Sequence, residues 1–285
     1  MPQTIAIIGL GLIGGSLAKA VKLHTPHRVH GIDHDADTLA ATLGSGAVDD
    51  AGTSAHAERL LADADIVIVA LSPDATVEWV ERYVGAIREN AVVTDVCGVK
   101  RHIIQHLAPL CSAHDLRYVP GHPMAGRERG GFANSDAELF KNCSYIFTPD
   151  EHTDSDALET LRTLVTDLGA ARVTITTAEH HDRMIAFTSQ LPHVLAGAYV
   201  KSDTSAGHVG YSAGSYRDVS RVAAVDETLW SRLLQLNRDN LTTEIDTLIT
   251  HLTQYRNALT TDDANTIASV IRDGRERKLE IDGVT

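Results

Sequence analysis

Short apolar runs alternate with longer stretches of mixed polarity through residues 1–176. The runs are rich in β-branched residues and predict strands at 5–9, 29–33, 66–71, 92–96, 118–120, 144–148 and 172–176. Several are apolar at nearly every position, which is typical of strands covered on both faces. The amphipathic stretches between them, such as 16–23 and 158–168, predict helices. This alternation predicts an α/β fold with a mostly parallel sheet.

The strand signals stop after residue 176. Residues 178–200 predict a helix, and 202–215 predict a loop because they are rich in Gly and Ser. A long helical stretch follows, and a last helix is predicted at 262–280, where the charged run 272–280 indicates a solvated face. We therefore expect two domains, an α/β domain at 1–176 and an all-helical domain at 177–285.

The long helical stretch carries apolar residues at a heptad spacing. They step by 4, 3, 4, 3 and 4 residues, at Leu241, Ile245, Leu248, Leu252, Tyr255 and Leu259. Such a seam is either a core stripe within the helical domain or a helix–helix interface between two copies of the chain. The interface is favoured, because a long seam in a short helical domain needs a partner to cover it.

The composition limits the classes of function. The chain has 25 Lys and Arg against 38 Asp and Glu, a net charge of −13, whereas nucleic acid binding needs clustered cations. The longest apolar run, 66–71, is far shorter than the roughly 20 residues of a membrane helix. No signal peptide is visible, and the three cysteines form no CxxC pair. We expect a cytoplasmic protein that binds neither nucleic acid nor membrane.

A glycine-rich turn directly follows the first predicted strand and precedes a helix. It reads Gly9-Leu10-Gly11-Leu12-Ile13-Gly14. In a GxGxxG turn, the first glycine permits the tight bend, the second lets the backbone approach a pyrophosphate, and the third allows close packing of helix on strand. A turn without a ligand is the weaker interpretation, and the sequence predicts a Rossmann-type dinucleotide site.

The type of dinucleotide is indicated by the end of the second strand. Asp33 lies 22 residues after Gly11, where a carboxylate binds the ribose hydroxyls and repels a 2′-phosphate. No Arg or Lys lies between 29 and 43, so NAD is favoured over NADP. Ser72 and Pro73, which follow another strand, are predicted to line the same crevice.

Candidate catalytic groups lie on both sides of the predicted domain boundary. His122 follows the strand at 118–120 and suits a general base, since an unperturbed histidine titrates near 6.5, although a structural hydrogen-bonding role is the alternative. In the helical part, Arg221 could grip a carboxylate with its forked guanidinium. For Arg127 a surface salt bridge is favoured. His180, His181 and Asp182 have no further ligands at metal spacing, so no metal is expected.

Three motifs in order resemble those of the prephenate dehydrogenase family of tyrosine biosynthesis, and the resemblance spans nearly the whole chain. Residues 121–131, GHPMAGRERGG, are similar to its HPMAG-x-E-x-x-G motif. Residues 181–193 resemble its HD…S-H-L-P-H segment, and 216–223, YRDVSRVA, resemble its F-R-D-x-T-R-I-A segment. Trp230 and Asn237 fall where the family has Trp and Asn.

The resemblance implies an oxidoreductase that converts prephenate to 4-hydroxyphenylpyruvate with NAD. His122 would take the proton of the ring hydroxyl while hydride passes to the nicotinamide, and loss of CO2 would aromatise the ring. It further implies a homodimer formed by the helical domains. The residues implied to bind or hold the substrate are His193, Arg221, Ser189, Gln190, Arg217, Asp218 and Glu128.

Two positions depart from the family's pattern. Gly98 stands where the family often has a serine in D-x-x-S-V-K, so a hydroxyl near His122 would be missing, or replaced by water or Cys97. Gln190 stands where the family commonly has His. Both leave the reaction class intact and affect how the substrate is held.

Three other functions stay open at this point. Arogenate dehydrogenase differs only in an amino group on the substrate. A β-hydroxyacid dehydrogenase shares the layout, but uses a lysine early in its helical domain, and only Lys201 and Lys278 follow residue 176 here. A non-catalytic NAD sensor would keep the glycines and Asp33 without needing His122, His193 and Arg221 together.

Overall fold

The computed structural model describes residues 2–127 and 129–283. Within these ranges the main sheet is built from β1 Thr4–Ile8, β2 Arg28–Ile32, β3 Asp50–Gly52, β4 Ile66–Val69, β5 Val92–Asp95 and β6 Arg117–Tyr118. All neighbours pair in parallel, in the order β3-β2-β1-β4-β5-β6. The order reverses at β1, and such a switch point opens a crevice at the carboxyl edge of the sheet. The predicted Rossmann-type α/β fold is confirmed.

Helices cover both faces of this sheet. They are α1 Leu12–His24, α2 Ala36–Gly44, α3 Ala57–Leu61, α4 Pro73–Tyr83, α5 Arg101–Ala113 and α6 Ser155–Asp167. Ile5 and Ile7 of β1 pack in the cluster that contains α1 and α6, whereas Ala6 and Ile8 pack with α3, α4 and α5. Because alternate side chains of a strand point to opposite faces, a strand buried on both faces is apolar at every position.

A second, three-stranded sheet differs from the single sheet that the pattern suggests. Its strands are β7 Gly121–Pro123, β8 Ser144–Phe147 and β9 Arg172–Ile175. β7 pairs antiparallel with β8, and β8 pairs parallel with β9. The apolar runs at 144–148 and 172–176 are strands, as predicted, but a hydrophobic run does not identify its partner strand. The consequence for the site is that His122 lies within a strand of the second sheet.

The remainder of the chain is helical. Its helices are α7 Ala178–Ile185, α8 Leu191–Tyr199, α9 Gly214–Ser220, α10 Glu227–Leu236, α11 Arg238–Thr260 and α12 Ala264–Ile281. α7 and α8 are joined without a break by the π-helical turn Ala186–Gln190, which agrees with the single helix predicted at 178–200. Pro192 has no N–H to donate within this helix, which accounts for the wider turn before it. The predicted loop at 202–215 contains one 3₁₀ turn, Asp203–Gly207.

The heptad seam runs along α11 and is covered over only half its length. Leu241 is buried with Ala186 and Leu191, and Ile245 and Leu248 pack against that cluster. Farther along, Leu252 is 53% exposed and Leu259 is 64% exposed. The first half of the seam is therefore core and the second half is an uncovered apolar face. Among the described residues, no helix combines the length and the hydropathy needed to cross a membrane.

Candidate active site

The turn between β1 and α1 has the geometry of a dinucleotide-binding turn. Gly9 has φ +85°, and a Cβ there would lie 2.6 Å from the carbonyl oxygen of Ala70. A Cβ on Gly14 would lie 1.8 Å from the carbonyl oxygen of Gly9, so only glycine permits this approach of helix to strand. A Cβ on Gly11 would meet no atom within 4 Å. The space beside Gly11 is therefore open at the N-terminus of α1, where an anion is favoured.

Asp33 lies beside this turn, as the sequence predicts. One carboxylate oxygen accepts the backbone N–H of Leu10 at 2.7 Å, and the other accepts that of Asp35 at 2.9 Å. These bonds fix the carboxylate at the carboxyl end of β2. Leu12 and Ile13 form the first turn of α1, and Ile13 packs against the core. Asp33 thus keeps lone pairs available beside the open space at Gly11.

A cleft of about 350 Å³ opens next to Asp33. Its lining includes Gly9, Asp33, Leu71, Trp79 and Arg82. The Trp79 indole N–H is buried and, within the described part of the chain, has no hydrogen-bond partner. Because a buried donor without a partner is costly, an acceptor on a ligand would satisfy it. Trp79 was not predicted from the sequence, because it resembles an ordinary apolar position of α4.

Ser72 and Pro73 lie where α4 begins, at the same edge of the sheet. Pro73 is buried at the first position of the helix, and Ser72 is exposed. The Ser72 side chain makes no capping hydrogen bond to α4. Together with Gly9, Gly11, Gly14 and Asp33, these residues form one continuous edge, and they fit a dinucleotide.

A fully buried ion pair lies at the end of β5. The Lys100 ammonium contacts Asp95 Oδ1 and the carbonyl oxygen of Gly121, each at 2.5 Å. Tyr118 donates its hydroxyl to Asp95 Oδ2 at 2.8 Å, and Cys97 N–H donates to Oδ1 at 2.9 Å. The pair therefore ties β5, the loop after it and β7 together. This ion pair was not predicted from the sequence, although Asp95 and Lys100 are only five residues apart.

His122 is held at the centre of the site. Its Nδ1 lies 2.9 Å from Nε2 of His181 across the junction between sheet and helical part, and its ring is partly exposed. Burial, reinforced by nearby His181 and Lys100, lowers the pKa of His122 well below its ordinary value of 6.5. The imidazole is therefore neutral at pH 7 and can accept a proton. The lowered pKa of His122 differs from the unperturbed value near 6.5 that was expected from the sequence.

Gly98 faces the free side of the His122 ring. A Cβ on Gly98 would lie 3.6 Å from His122 Nε2, an ordinary contact distance. A serine would thus fit there. The Cys97 thiol does not replace it, since Sγ lies 3.7 Å from the carbonyl oxygen of Leu71 and 3.5 Å from Thr76 Oγ1. Burial also raises the pKa of Cys97 to about 12, so it stays protonated.

Asp182 joins the helical part to the sheet-containing part. Its carboxylate accepts the backbone N–H groups of Lys100 at 2.8 Å and Arg101 at 3.0 Å, and His181 Nδ1 lies 2.7 Å away. The Arg101 guanidinium forms a forked pair with Asp239 at 2.7 and 2.6 Å. A second link across the junction joins Arg232 to Asp74 at 2.7 and 2.9 Å. These contacts form a polar network between the two parts of the chain.

Residues at and after the π-helical turn differ in exposure. His193 Nδ1 lies 2.8 Å from the carbonyl oxygen of Ser189, so it must donate, and its ring stacks on Trp230 at 3.8 Å between centroids. Both His193 and Ser189 are partly exposed. Gln190 instead is buried, and its amide bonds Asn237 at 2.9 Å and the carbonyl oxygen of Leu233 at 3.4 Å. The structure places Gln190 in the helical core and not on a ligand-facing surface.

The other residues predicted to bind substrate lie on α9 and the turn after it. Arg217 and Asp218 are exposed on α9, and Arg221 is exposed at the start of the 3₁₀ turn Arg221–Ala223. This turn packs against α8, which carries His193. Glu128 lies outside the described residues. Arg127 pairs with Asp136 at 2.5 Å on the surface, as predicted. In the described ranges, no group of three or more His, Cys, Asp or Glu side chains is arranged to hold a metal.

Comparison with known proteins gives consistent matches over both parts of the chain. Residues 17–174 match a family model described as prephenate dehydrogenase, nucleotide-binding domain, and 177–273 match one described as prephenate dehydrogenase, dimerization domain. The chain is 31% identical to a cyclohexadienyl dehydrogenase of Zymomonas mobilis, over 97% of this chain and 95% of that protein. It is 30% identical to a prephenate dehydrogenase of Bacillus subtilis, over 94% and 73%.

A solved structure has the same fold. The crystal structure of prephenate dehydrogenase from Aquifex aeolicus, in complex with hydroxyphenyl propionate and NAD+, superposes with a TM-score of 0.86. The match covers 99% of both chains at 24% sequence identity. The likeness shows that both parts of this chain share the fold of that structure.

Proposed function

The chain belongs to the prephenate dehydrogenase family, and from this premise we propose that it catalyses the NAD-dependent oxidative decarboxylation of prephenate to 4-hydroxyphenylpyruvate. The observation that carries the proposal is His122, a neutral and partly exposed histidine fixed between the Rossmann-type sheet and the helical part. Residues 1–176 would bind the cofactor, and 177–285 would bind substrate and form the dimer.

The edge formed by β1, β2 and β4 fits NAD. Gly11 leaves room for the pyrophosphate at the N-terminus of α1, and Gly9 and Gly14 permit the close turn. Asp33 offers its carboxylate to the ribose hydroxyls and disfavours a 2′-phosphate. Leu12, Ile13, Ser72 and Pro73 complete the lining. When bound, NAD supplies the hydride acceptor of the reaction. The similarity to the NAD+ complex from Aquifex aeolicus supports this choice.

The chain's own residues then account for the proton transfers and the hold on the substrate. His122 accepts the proton of the ring hydroxyl at C4 on Nε2 while the C4–H bond breaks. Loss of CO2 from C1 returns an electron pair to the ring, and the phenolate oxygen takes a proton back. Arg221 would bind a substrate carboxylate. His193 and Ser189 would contact the substrate directly.

The remaining residues implied by the family resemblance take supporting roles in this proposal. Arg217 and Asp218 would shape the charge around Arg221, and Glu128 stays a prediction. Gln190 is assigned to the hydrogen-bond network with Asn237, because it is buried there. No metal is needed, since aromatisation of the ring drives the decarboxylation.

The identity of the substrate is tested by measuring NADH formation at 340 nm with NAD and either prephenate or arogenate. We expect kcat/KM to be higher for prephenate. A higher value for arogenate would keep the roles of His122 and Asp33 and change the substrate. No NADH from either compound would contradict the proposed function.

We propose that the uncovered half of the α11 seam forms a homodimer. Leu252 and Leu259 are exposed leucines on the face that is buried at Leu241, and the matched family model for this region is a dimerization domain. Apolar side chains at heptad spacing pack well against a second copy of the same helix.

The double variant Leu252→Glu/Leu259→Glu tests the dimer. We expect its dimer Kd to rise by more than about 10²-fold, because the interface would bury unpaired carboxylates. Light scattering at micromolar concentration should report a monomer. Thr250→Glu, on the opposite and exposed face of α11, is the matched control and should leave the mass unchanged. An unchanged dimer in the double variant would place the interface elsewhere.

A further inference from the structure

Three side chains form a hydrogen-bonded chain that ends at the proposed base. Asp182 Oδ1 lies 2.7 Å from His181 Nδ1, and His181 Nε2 lies 2.9 Å from His122 Nδ1. Asp182 and His181 are buried, and His122 is the member that is partly exposed. The three residues come from two parts of the chain, 59 residues apart for the histidine pair. The hydrogen bond between the two histidines therefore forms only when the helical part packs against the sheet.

The direction of each hydrogen bond follows from the charge of the groups. Burial acts to raise the pKa of Asp182, but hydrogen bonds from His181, Lys100 and Arg101 hold it below the ordinary value, so the carboxylate is ionised and can only accept. His181 Nδ1 must then carry the proton. Burial lowers the pKa of His181 against the opposing effect of Asp182, so the ring is neutral and its Nε2 has a free lone pair.

The last bond of the chain fixes the tautomer of the base. Since His181 Nε2 can only accept, His122 must donate from Nδ1. A neutral His122 with a proton on Nδ1 has an unprotonated Nε2, on the side that Gly98 leaves open. The opposite polarity, with His181 donating to His122, would put the proton of a neutral His122 on Nε2 and disable it as a base.

We propose that His181 is a positioning residue that, with Asp182, fixes the Nδ1–H tautomer of His122 and stabilises the imidazolium formed when Nε2 takes the substrate proton. This inference rests on the proposed function for the identity of the base. His181 is buried and is not among the residues that line the cleft beside Asp33. Its effect reaches the reaction only through His122.

The tautomer can be observed without turnover by ¹⁵N NMR of the full-length protein labelled at the histidine ring nitrogens, in the presence of NAD. His122→Asn assigns the His122 signals by their loss. We expect the wild type to show a protonated Nδ1 and an unprotonated Nε2 at pH 7. A protonated Nε2 on His122 in the wild type would overturn the proposal.

Variants at His181 connect the tautomer with the rate. His181→Phe removes both hydrogen bonds, and we expect a mixture of His122 tautomers and a kcat lower by about 10²-fold, with KM for NAD unchanged. His181→Gln can donate to Asp182 and accept from His122, so it should recover the tautomer and most of kcat. His180→Phe is the matched control, since His180 is the exposed neighbour and bonds Arg183.

The outcomes separate this inference from the proposed function. If His181→Phe does not fold, the wild-type spectrum and His181→Gln still decide the matter. An unchanged His122 tautomer and an unchanged kcat in His181→Phe would overturn the positioning role. If the wild type forms no NADH but shows the expected tautomer, the proposed function is wrong, whereas the proposed effect of His181 on the His122 tautomer is supported.

Discussion

Replacing His122 with asparagine is expected to lower kcat for NADH formation by roughly 10²- to 10⁴-fold, the usual contribution of a general base. The asparagine side chain can still form a hydrogen bond with His181, so the junction between the sheet and the helical part should stay intact. It cannot accept a proton at neutral pH, so the ring hydroxyl of the substrate would lose its base. Initial rates at saturating NAD measure the effect.

NAD binding should not change in this variant, because Gly11 and Asp33 are untouched. Fluorescence titration with NAD checks this point. His106→Asn is the matched control, since His106 Nδ1 bonds the carbonyl oxygen of His102 within α5. A rate for His122→Asn within a factor of about three of the control would rule out His122 as the base, because that is far less than a general base contributes.

The second large effect is on stability, at Lys100. Lys100→Met would leave the buried Asp95 carboxylate without its cation, although Tyr118 and the Cys97 N–H still donate hydrogen bonds to it. We expect a loss of about 3–5 kcal/mol in the free energy of unfolding. Removing one partner of a buried pair is costly, since desolvation of the other charge is no longer compensated. Urea unfolding, followed by circular dichroism, measures the change.

Two further variants test the cause of this loss. Lys22→Met removes the Lys22–Asp49 pair, which is about one-third exposed, and should cost less than about 1 kcal/mol. Adding Asp95→Asn to Lys100→Met removes the uncompensated charge and should recover part of the loss. If Lys100→Met unfolds at the same urea concentration as Lys22→Met, the buried pair does not stabilise the fold.

The strands of the main sheet could be predicted because burial on both faces demands continuous apolar residues, as in 66–69 of β4. β3 was missed, since its residues Asp50–Gly52 carry no such run and pair only at the edge. The second sheet was missed because strand pairing is a long-range property. The apolar pattern at 144–148 is the same whether its partner is β6 or β7.

The nucleotide-binding turn could be predicted from the sequence because its local backbone geometry requires glycine at fixed positions. Gly9 needs a positive φ and Gly14 tolerates no side chain, and both constraints fall within the single turn from Gly9 to Gly14. The junction around His122 was harder to predict, because contacts such as that of His122 with His181 join residues far apart in the chain. Gln190 was predicted to bind substrate from its place in a motif. The motif gave no indication that its side chain is buried.

The most direct test of the account is the pH dependence of kcat/KM for NADH formation from prephenate. His122 must be neutral to accept the proton, and its pKa is lowered well below 6.5 by burial, with His181 and Lys100 acting in the same direction. We therefore predict that kcat/KM stays level as the pH falls through 6.5 and declines only at lower pH. A decline centred at or above pH 6.5 would contradict His122, with its lowered pKa, as the base.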